Sequence, residues 1–170
     1  MKIYYREKSG GIEILRCFGI EGRVEIPGMI DGKLVISAVP YAFSSHMDEK
    51  EDLKNASLWE VSDGLEFGRE EHVLAGNDVE EIVFPYTLKE IGRYIFYGCG
   101  NLKKLEFSDS LMQIGCGAFT GCHALEKLTV HMRQGKKSGV KEMLGEMWQR
   151  IDVNFLYQAV ITGSVFMIRS

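Results

Sequence analysis

Four cysteines and four histidines are the residues of this 170-residue chain best suited to covalent or metal chemistry: Cys17, Cys99, Cys116 and Cys122, with His46, His72, His123 and His131. A thiolate beside an imidazole makes a nucleophile, and closely spaced Cys and His hold zinc. Cys116, Cys122, His123 and His131 can be drawn together as a zinc set, but their spacing fits neither C-x2-C nor H-x3-H. The histidines stand singly, so no pair suggests a proton relay. Phosphate-cradling glycine loops, G-x-S-x-G and H-E-x-x-H are all absent. No catalytic, cofactor-binding or metal-binding residue is therefore assigned, and the chain reads as a non-enzyme. Cys116 is the thiol on which an enzyme or accessory role would have to rest. Residues 46–81 hold twelve of the 24 acidic side chains against three basic ones, yet lack the D-x-[DN]-x-[DN]-G spacing that calcium requires. They read as a solvated excursion.

Composition narrows the function classes further. With 45% hydrophobic and 26% charged residues the chain is of the soluble globular kind, and its length suits one domain. A net charge of −4 argues against a general polyanion binder, so no nucleic acid is expected as a partner. No window reaches the ~18 apolar residues of a membrane span, and Met1–Glu7 opens no secretory signal, so the expected location is cytoplasmic with no membrane partner. Nineteen glycines against three prolines say that the chain turns often and on glycine.

The elements that position these side chains come from a repeat. Residues 79–101 and 102–124 align at a period of 23, and residues 125–130 begin a third unit. Seven of the 23 positions are identical: Phe84/Phe107, Leu88/Leu111, Ile91/Ile114, Gly92/Gly115, Phe96/Phe119, Gly98/Gly121 and Cys99/Cys122. A weaker copy lies upstream, where Val24-Glu25-Ile26-Pro27 matches the start of the unit and Val35 to Phe43 its later half. Each unit opens with alternating apolar residues (Ile82, Phe84; Leu105, Phe107; Leu128, Val130), the mark of a strand with one face inward. A glycine-bounded turn of helical rhythm follows. One strand and one turn cannot bury an apolar side alone, whereas stacking successive units can. Cys99 and Cys122 then fall inside the coil as small apolar groups, while Cys116, at the position of Arg93, faces outward.

The pattern L-x-x-[IL]-x-[FIV]-[PS]-x-x-[LV]-x-x-I-G-x-x-A-F-x-G-C resembles the BspA-like leucine-rich repeat of bacterial proteins, over residues 11–43 and 79–130. The resemblance implies an α/β repeat: a short leucine-rich-repeat solenoid with a parallel strand stack, a 23-residue period and a helical C-terminal cap. It also implies a non-catalytic protein–protein interaction scaffold. A surface-displayed adhesive module is the alternative, since relatives of this kind are often exported. The whole of 1–170 is expected to be one domain, with N-terminal strands and first coil over 1–43, an acidic insertion over 44–78, regular repeats over 79–137 and the cap over 138–170.

Outside the repeat, residues 1–20 suggest a hairpin-like start and residues 46–56 a short helix. Val140, Met143, Leu144, Met147, Trp148 and Ile151 follow helical spacing. Asp152–Tyr157 and Ala159–Ile168 read as strands, and the apolar run Val165–Ile168 should be buried or paired, so self-association through the C-terminal segment is expected. The partner-facing residues are read from the outward strand positions, which stacking would arrange in columns: Glu81, Lys104 and Lys127, and beside them Val83, Glu106 and Thr129. Tyr86, Tyr94 and Tyr97 lie on the turns nearby, and Trp59 in the insertion is either a plug or an exposed anchor.

Overall fold

The computed structural model describes residues 1–47, 52–61, 68–145, 151–161 and 164–169. In chain order the strands are β1 (Lys2–Lys8), β2 (Gly11–Gly19), β3 (Arg23–Glu25), β4 (Met29–Ile30), β5 (Lys33–Ala38), β6 (Ser57–Glu60) and β7 (His72–Val73). Then follow β8 (Glu81–Val83), β9 (Glu90–Ile91), β10 (Lys104–Ser108), β11 (Gln113–Ile114), β12 (Lys127–Arg133), the helix α1 (Val140–Leu144), β13 (Asp152–Ile161) and β14 (Ser164–Arg169).

Each of the two complete 23-residue units contributes a strand of three to five residues to one sheet (β8, β10) and a two-residue strand to the other (β9, β11). The first sheet has the order β14-β13-β12-β10-β8-β3, and its five strands from β3 to β13 run parallel. The register is that of the repeat: Val24, Ile82, Leu105, Leu128 and Val153 form one row. Phe107 pairs with Val130, and the Phe84 N–H donates to the Glu106 carbonyl at 2.9 Å, which places Phe84 beside Phe107. Leu105 and Phe107 are fully buried, each worth about 1.5–3 kcal/mol of transfer free energy. On the opposite sheet Ala38, Ile91 and Ile114 share a row. The turns stack as well: Phe43, Phe96 and Phe119 follow one another at centroid distances of 6.0 and 5.7 Å. After the two-residue strand each coil runs through successive i→i−3 turns, for example Tyr97 N–H to the Tyr94 carbonyl and Cys99 N–H to the Phe96 carbonyl.

Gly92 and Gly115 explain why the repeat spells Ile-Gly there. A Cβ on Gly115 would lie 2.2 Å from the Arg93 nitrogen, and one on Gly92 would lie 2.4 Å from the Pro40 nitrogen. The backbones of adjacent coils meet at these two points, so nothing larger than hydrogen fits.

The N-terminal hairpin forms as expected, with Lys8 opposite Gly11. It joins the solenoid through β2, which runs parallel to β5. A second hairpin, β4 and β5, turns on Asp31 and Gly32, both in the left-handed region (φ 48° and 76°), the requirement of a type I′ turn. Its register is fixed to the first hairpin, because the Tyr5 hydroxyl donates to the Asp31 carboxylate.

Residues after Phe43 leave the stack and return at Gly76, whose N–H donates to the Phe43 carbonyl at 2.8 Å. Consequently β3 and β8 are neighbours, Val24 beside Ile82, although 55 residues separate Glu25 from Glu81. The segment between is more than a solvated loop. β6 pairs antiparallel with β1, placing Trp59 opposite Ile3, and β7 pairs with the end of β2. Of the expected helix near 46–56, residues 48–51 lie outside the described residues, Asp52 is helical and 53–55 form a turn. At the other end α1 buries Val140 and Leu144; Met147 and Trp148 lie outside the described residues. The strand that follows, β13, continues the stack beside β12, and β14 folds back antiparallel on β13, pairing Val160 with Val165. The apolar C-terminal run is thereby paired within its own chain.

Candidate interaction surface

The outward positions of the parallel sheet form the columns that the repeat spacing implies. Arg23, Glu81, Lys104, Lys127 and Asp152 make one row, and Glu25, Val83, Glu106, Thr129 and Asn154 the next. At the start of the first row Arg23 is held by carboxylates, forming ion pairs with Glu81 and, at 3.3 Å, with Glu25. The hydrogen bond to Glu25 and the charge of Glu81 raise its pKa above the usual arginine value. Further along, Lys104 and Lys127 sit side by side, both exposed. Like charges on adjacent strands are mildly destabilising. Val83 and Glu106 are half-buried. Thr129 corrects the expectation: at 5% exposure it is buried, its short side chain lying between the longer Glu106 and Asn154, and it offers no surface to a partner. Two residues further along β12, His131 pairs with Ser108 and Leu156, its Nε2 3.0 Å from the Glu106 carboxylate and its ring 5.5 Å from that of Tyr86.

Trp59 is neither a free anchor nor a core residue. It is half-buried in β6 and lines an open groove of about 710 Å³ with Met1, Arg23, Glu25, Val61 and Tyr86, at the end of the parallel sheet where β3 is the last strand. On another edge Tyr41, Tyr94 and Tyr97 cluster: Tyr41 and Tyr94 stack at 5.6 Å and 13°, and Tyr97 meets Tyr94 edge-on at 5.9 Å. Tyr41 and Tyr94 take φ of 61° and 51°, and the next coil has Gly117 at the same place with φ 65°. The Tyr94 ring lies against Gly117, where a Cβ would come within 2.2 Å of it.

Three of the four thiols are spent on packing. Cys99 Sγ donates to the Phe43 carbonyl at 3.1 Å, and Cys122 Sγ to the Phe96 carbonyl at 3.3 Å, the same contact one coil later. Burial pushes Cys17, Cys99 and Cys122 each up to about 12, so they stay protonated and unreactive near neutral pH. Cys116 is exposed, as its repeat position implies. Among the described residues no group of three or more His, Cys, Asp or Glu converges to hold a metal, and no helix is long and apolar enough to cross a membrane.

Sequence reasoning missed a second groove, of about 630 Å³, along the turns that follow the parallel strands. Met112 stands in it at 74% exposure, more than any other large apolar residue described. A signal for it existed: in the repeat Met112 replaces Lys89, an apolar residue where its mate is charged.

The family described as "BspA type Leucine rich repeat region (6 copies)" matches residues 70–140, a stretch that holds about three coils of this period. No curated protein matches the chain. Among solved structures, a leucine-rich repeat protein from Bacteroides ovatus is similar in fold: 24% identity, TM-score 0.51, covering 76% of this chain and 30% of that one. A leucine rich cell surface protein from Faecalibacterium prausnitzii matches more loosely, at 18% identity and TM-score 0.47 over the same shares. The chain thus spans only 30% of the length of either. The register of β8, β10 and β12 and the stacked Phe96 and Phe119 lie within residues 70–140, the stretch that matches the BspA-type leucine-rich-repeat family.

Proposed function

We propose that this chain is a non-catalytic scaffold for protein–protein interaction, and that the outer face of its parallel sheet is a contact surface. The observation that carries the reading is the row Glu81, Lys104, Lys127, in which two exposed lysines occupy adjacent strands with no ion pair among the described residues. A folded chain gains nothing from that juxtaposition, whereas a partner carboxylate between them would relieve it. The reactive-thiol alternative is left with Cys116 alone, which has no ion pair or hydrogen-bonded base among the described residues. Self-association belongs to the same reading: β14 ends the sheet and, among the described residues, has a partner strand on one side only.

The test is affinity capture from the native cell with the full chain and with K104E/K127E. A specific protein retained by the first and lost at least tenfold by the second, at equal thermal stability, is the expected result. Equal retention overturns the assignment of the face, and capture of nothing by either chain overturns the scaffold reading. A C116S chain should behave as the parent in the same assay, and light scattering at high concentration should show a dimer; a monomeric mass rejects the self-association. Cell fractionation separates a cytosolic from a surface site of action.

A further inference from the structure

From the groove around Met112 we infer a docking site for an extended acidic segment of another protein, one that carries an apolar anchor between its carboxylates. This goes beyond the sheet face and rests on the reading of the chain as an interaction module.

The groove runs along the solenoid edge, from Leu34 in the first coil past Tyr86 and Met112 to the loop that holds Lys136 and Lys137. Leu34 is 44% exposed and Tyr86 52%, so its floor presents an apolar strip. Lys89, Lys136 and Lys137 flank that strip, all exposed and without an ion pair among the described residues. The cations are therefore unspent on a chain whose net charge is −4.

The one carboxylate among the described lining residues, Asp109, is already engaged. Its Oδ1 accepts from Arg133 Nε at 2.9 Å and its Oδ2 from the Arg133 backbone N–H at 2.8 Å, with its side chain 1% exposed. Ser138 Oγ donates to the Asp109 carbonyl at 3.4 Å. These bonds tie the lysine-bearing loop down onto the turn that carries Met112. On the other side Met112 N–H donates to the Lys89 carbonyl at 2.7 Å, and Ser110 Oγ to the Leu88 carbonyl at 2.7 Å. The groove walls are thus set by hydrogen bonds before any ligand arrives, which lowers the ordering penalty of binding.

Successive coils lie about 4.8 Å apart, so the three steps from Leu34 to the lysine loop span about 14 Å, the length of four to five extended residues. Alternate side chains of such a segment point the same way. An apolar residue at its centre would meet Met112 while acidic residues on either side reach Lys89 and the Lys136–Lys137 pair. A nucleic acid fits less well, since phosphates gain nothing from Leu34 and Met112 and the whole chain repels a polyanion.

The experiment is selection of a random-peptide display library on the full chain, with affinities of selected peptides read by fluorescence polarisation. Expected are peptides rich in Asp and Glu around one or two apolar residues. Their affinity should fall at least tenfold on M112D and on K136E/K137E, fall again with added salt, and stay unchanged on K104E/K127E. Circular dichroism of each variant must match the parent; K136A/K137A serves should the reversal disturb folding. The inference is overturned if no peptide enriches, if those that do lack acidic residues, or if they bind the groove variants as well as the parent. It is equally overturned if a twelve-nucleotide oligothymidylate binds with the same affinity and M112D leaves that binding intact. Peptides lost on K104E/K127E and kept on the groove variants would sink this site while leaving the scaffold reading in place.

Discussion

Gly115→Ala isolates the close approach of coils on which the whole stack depends. Gly115 has no left-handed φ, so alanine meets no conformational objection there. The objection is spatial: the new Cβ would lie 2.2 Å from the Arg93 nitrogen and 2.5 Å from both Arg93 Cα and Gly92 C, all backbone atoms that no rotamer change can move aside. Relief requires the two coils to part by about 1 Å, given an ordinary contact near ~3.5 Å. That motion strains the bond from the Gly115 N–H to the Ile91 carbonyl (2.8 Å) and from the Tyr94 N–H to the Cys116 carbonyl (3.0 Å). Overpacking at about 1–3 kcal/mol and two weakened hydrogen bonds at about 1 kcal/mol each put the loss at about 3–5 kcal/mol. Gly98→Ala is the matched control, because Gly98 has φ 75° and nothing within 4 Å of a Cβ, which leaves only the left-handed penalty of about 1–2 kcal/mol. At about 2–4 °C per kcal/mol for a chain of this length, Gly115→Ala should lower Tm by about 6–20 °C and Gly98→Ala by about 2–8 °C. Urea titration followed by circular dichroism gives the two losses side by side. A Gly115→Ala chain as stable as Gly98→Ala would refute direct backbone contact between coils.

Three further outcomes follow from the buried groups. Arg16 is 2% exposed, and its Nη1 lies 2.6 Å from the Ser44 carbonyl and 3.1 Å from that of Ala42; Arg16→Met should cost about 3 kcal/mol in urea unfolding, and no loss would show that these bonds do not hold the first turn in place. Maleimide at pH 8 should label one thiol quickly in the folded chain, Cys116 by peptide mapping, and all four only in denaturant; rapid labelling of Cys99 would contradict its burial. Because Cys17, Cys99 and Cys122 are raised from an ordinary 9.0 to about 12, their contribution is fully present below pH 9 and is lost as pH rises toward 12, the unfolded chain ionising first. Urea midpoints should fall over that range, and fall less in a C17A/C99A/C122A chain measured against its own value at pH 8; equal slopes would reject the linkage.

The spacing of like residues decided much of this protein in advance. An alternation of period two makes a one-sided strand, and a 23-residue recurrence places each strand beside its copy, so the pairing of Leu105 with Ile82 and Leu128 and the row Glu81, Lys104, Lys127 were legible without coordinates. The inward place of Cys99 and the outward place of Cys116 follow from the same arithmetic. Tertiary structure alone decided what no local pattern encodes. That β3 lies against β8 across the intervening excursion, and that Trp59 pairs opposite Ile3, depends on which sheet edges are left open once the coils have stacked. Residues 57–60, mostly exposed, carry no alternation strong enough to announce a strand. Burial of Thr129 and the gathering of Lys89, Met112 and Lys137 along one edge belong to the same class, because a period gives each residue its side of the coil but leaves open how far its neighbours reach over it.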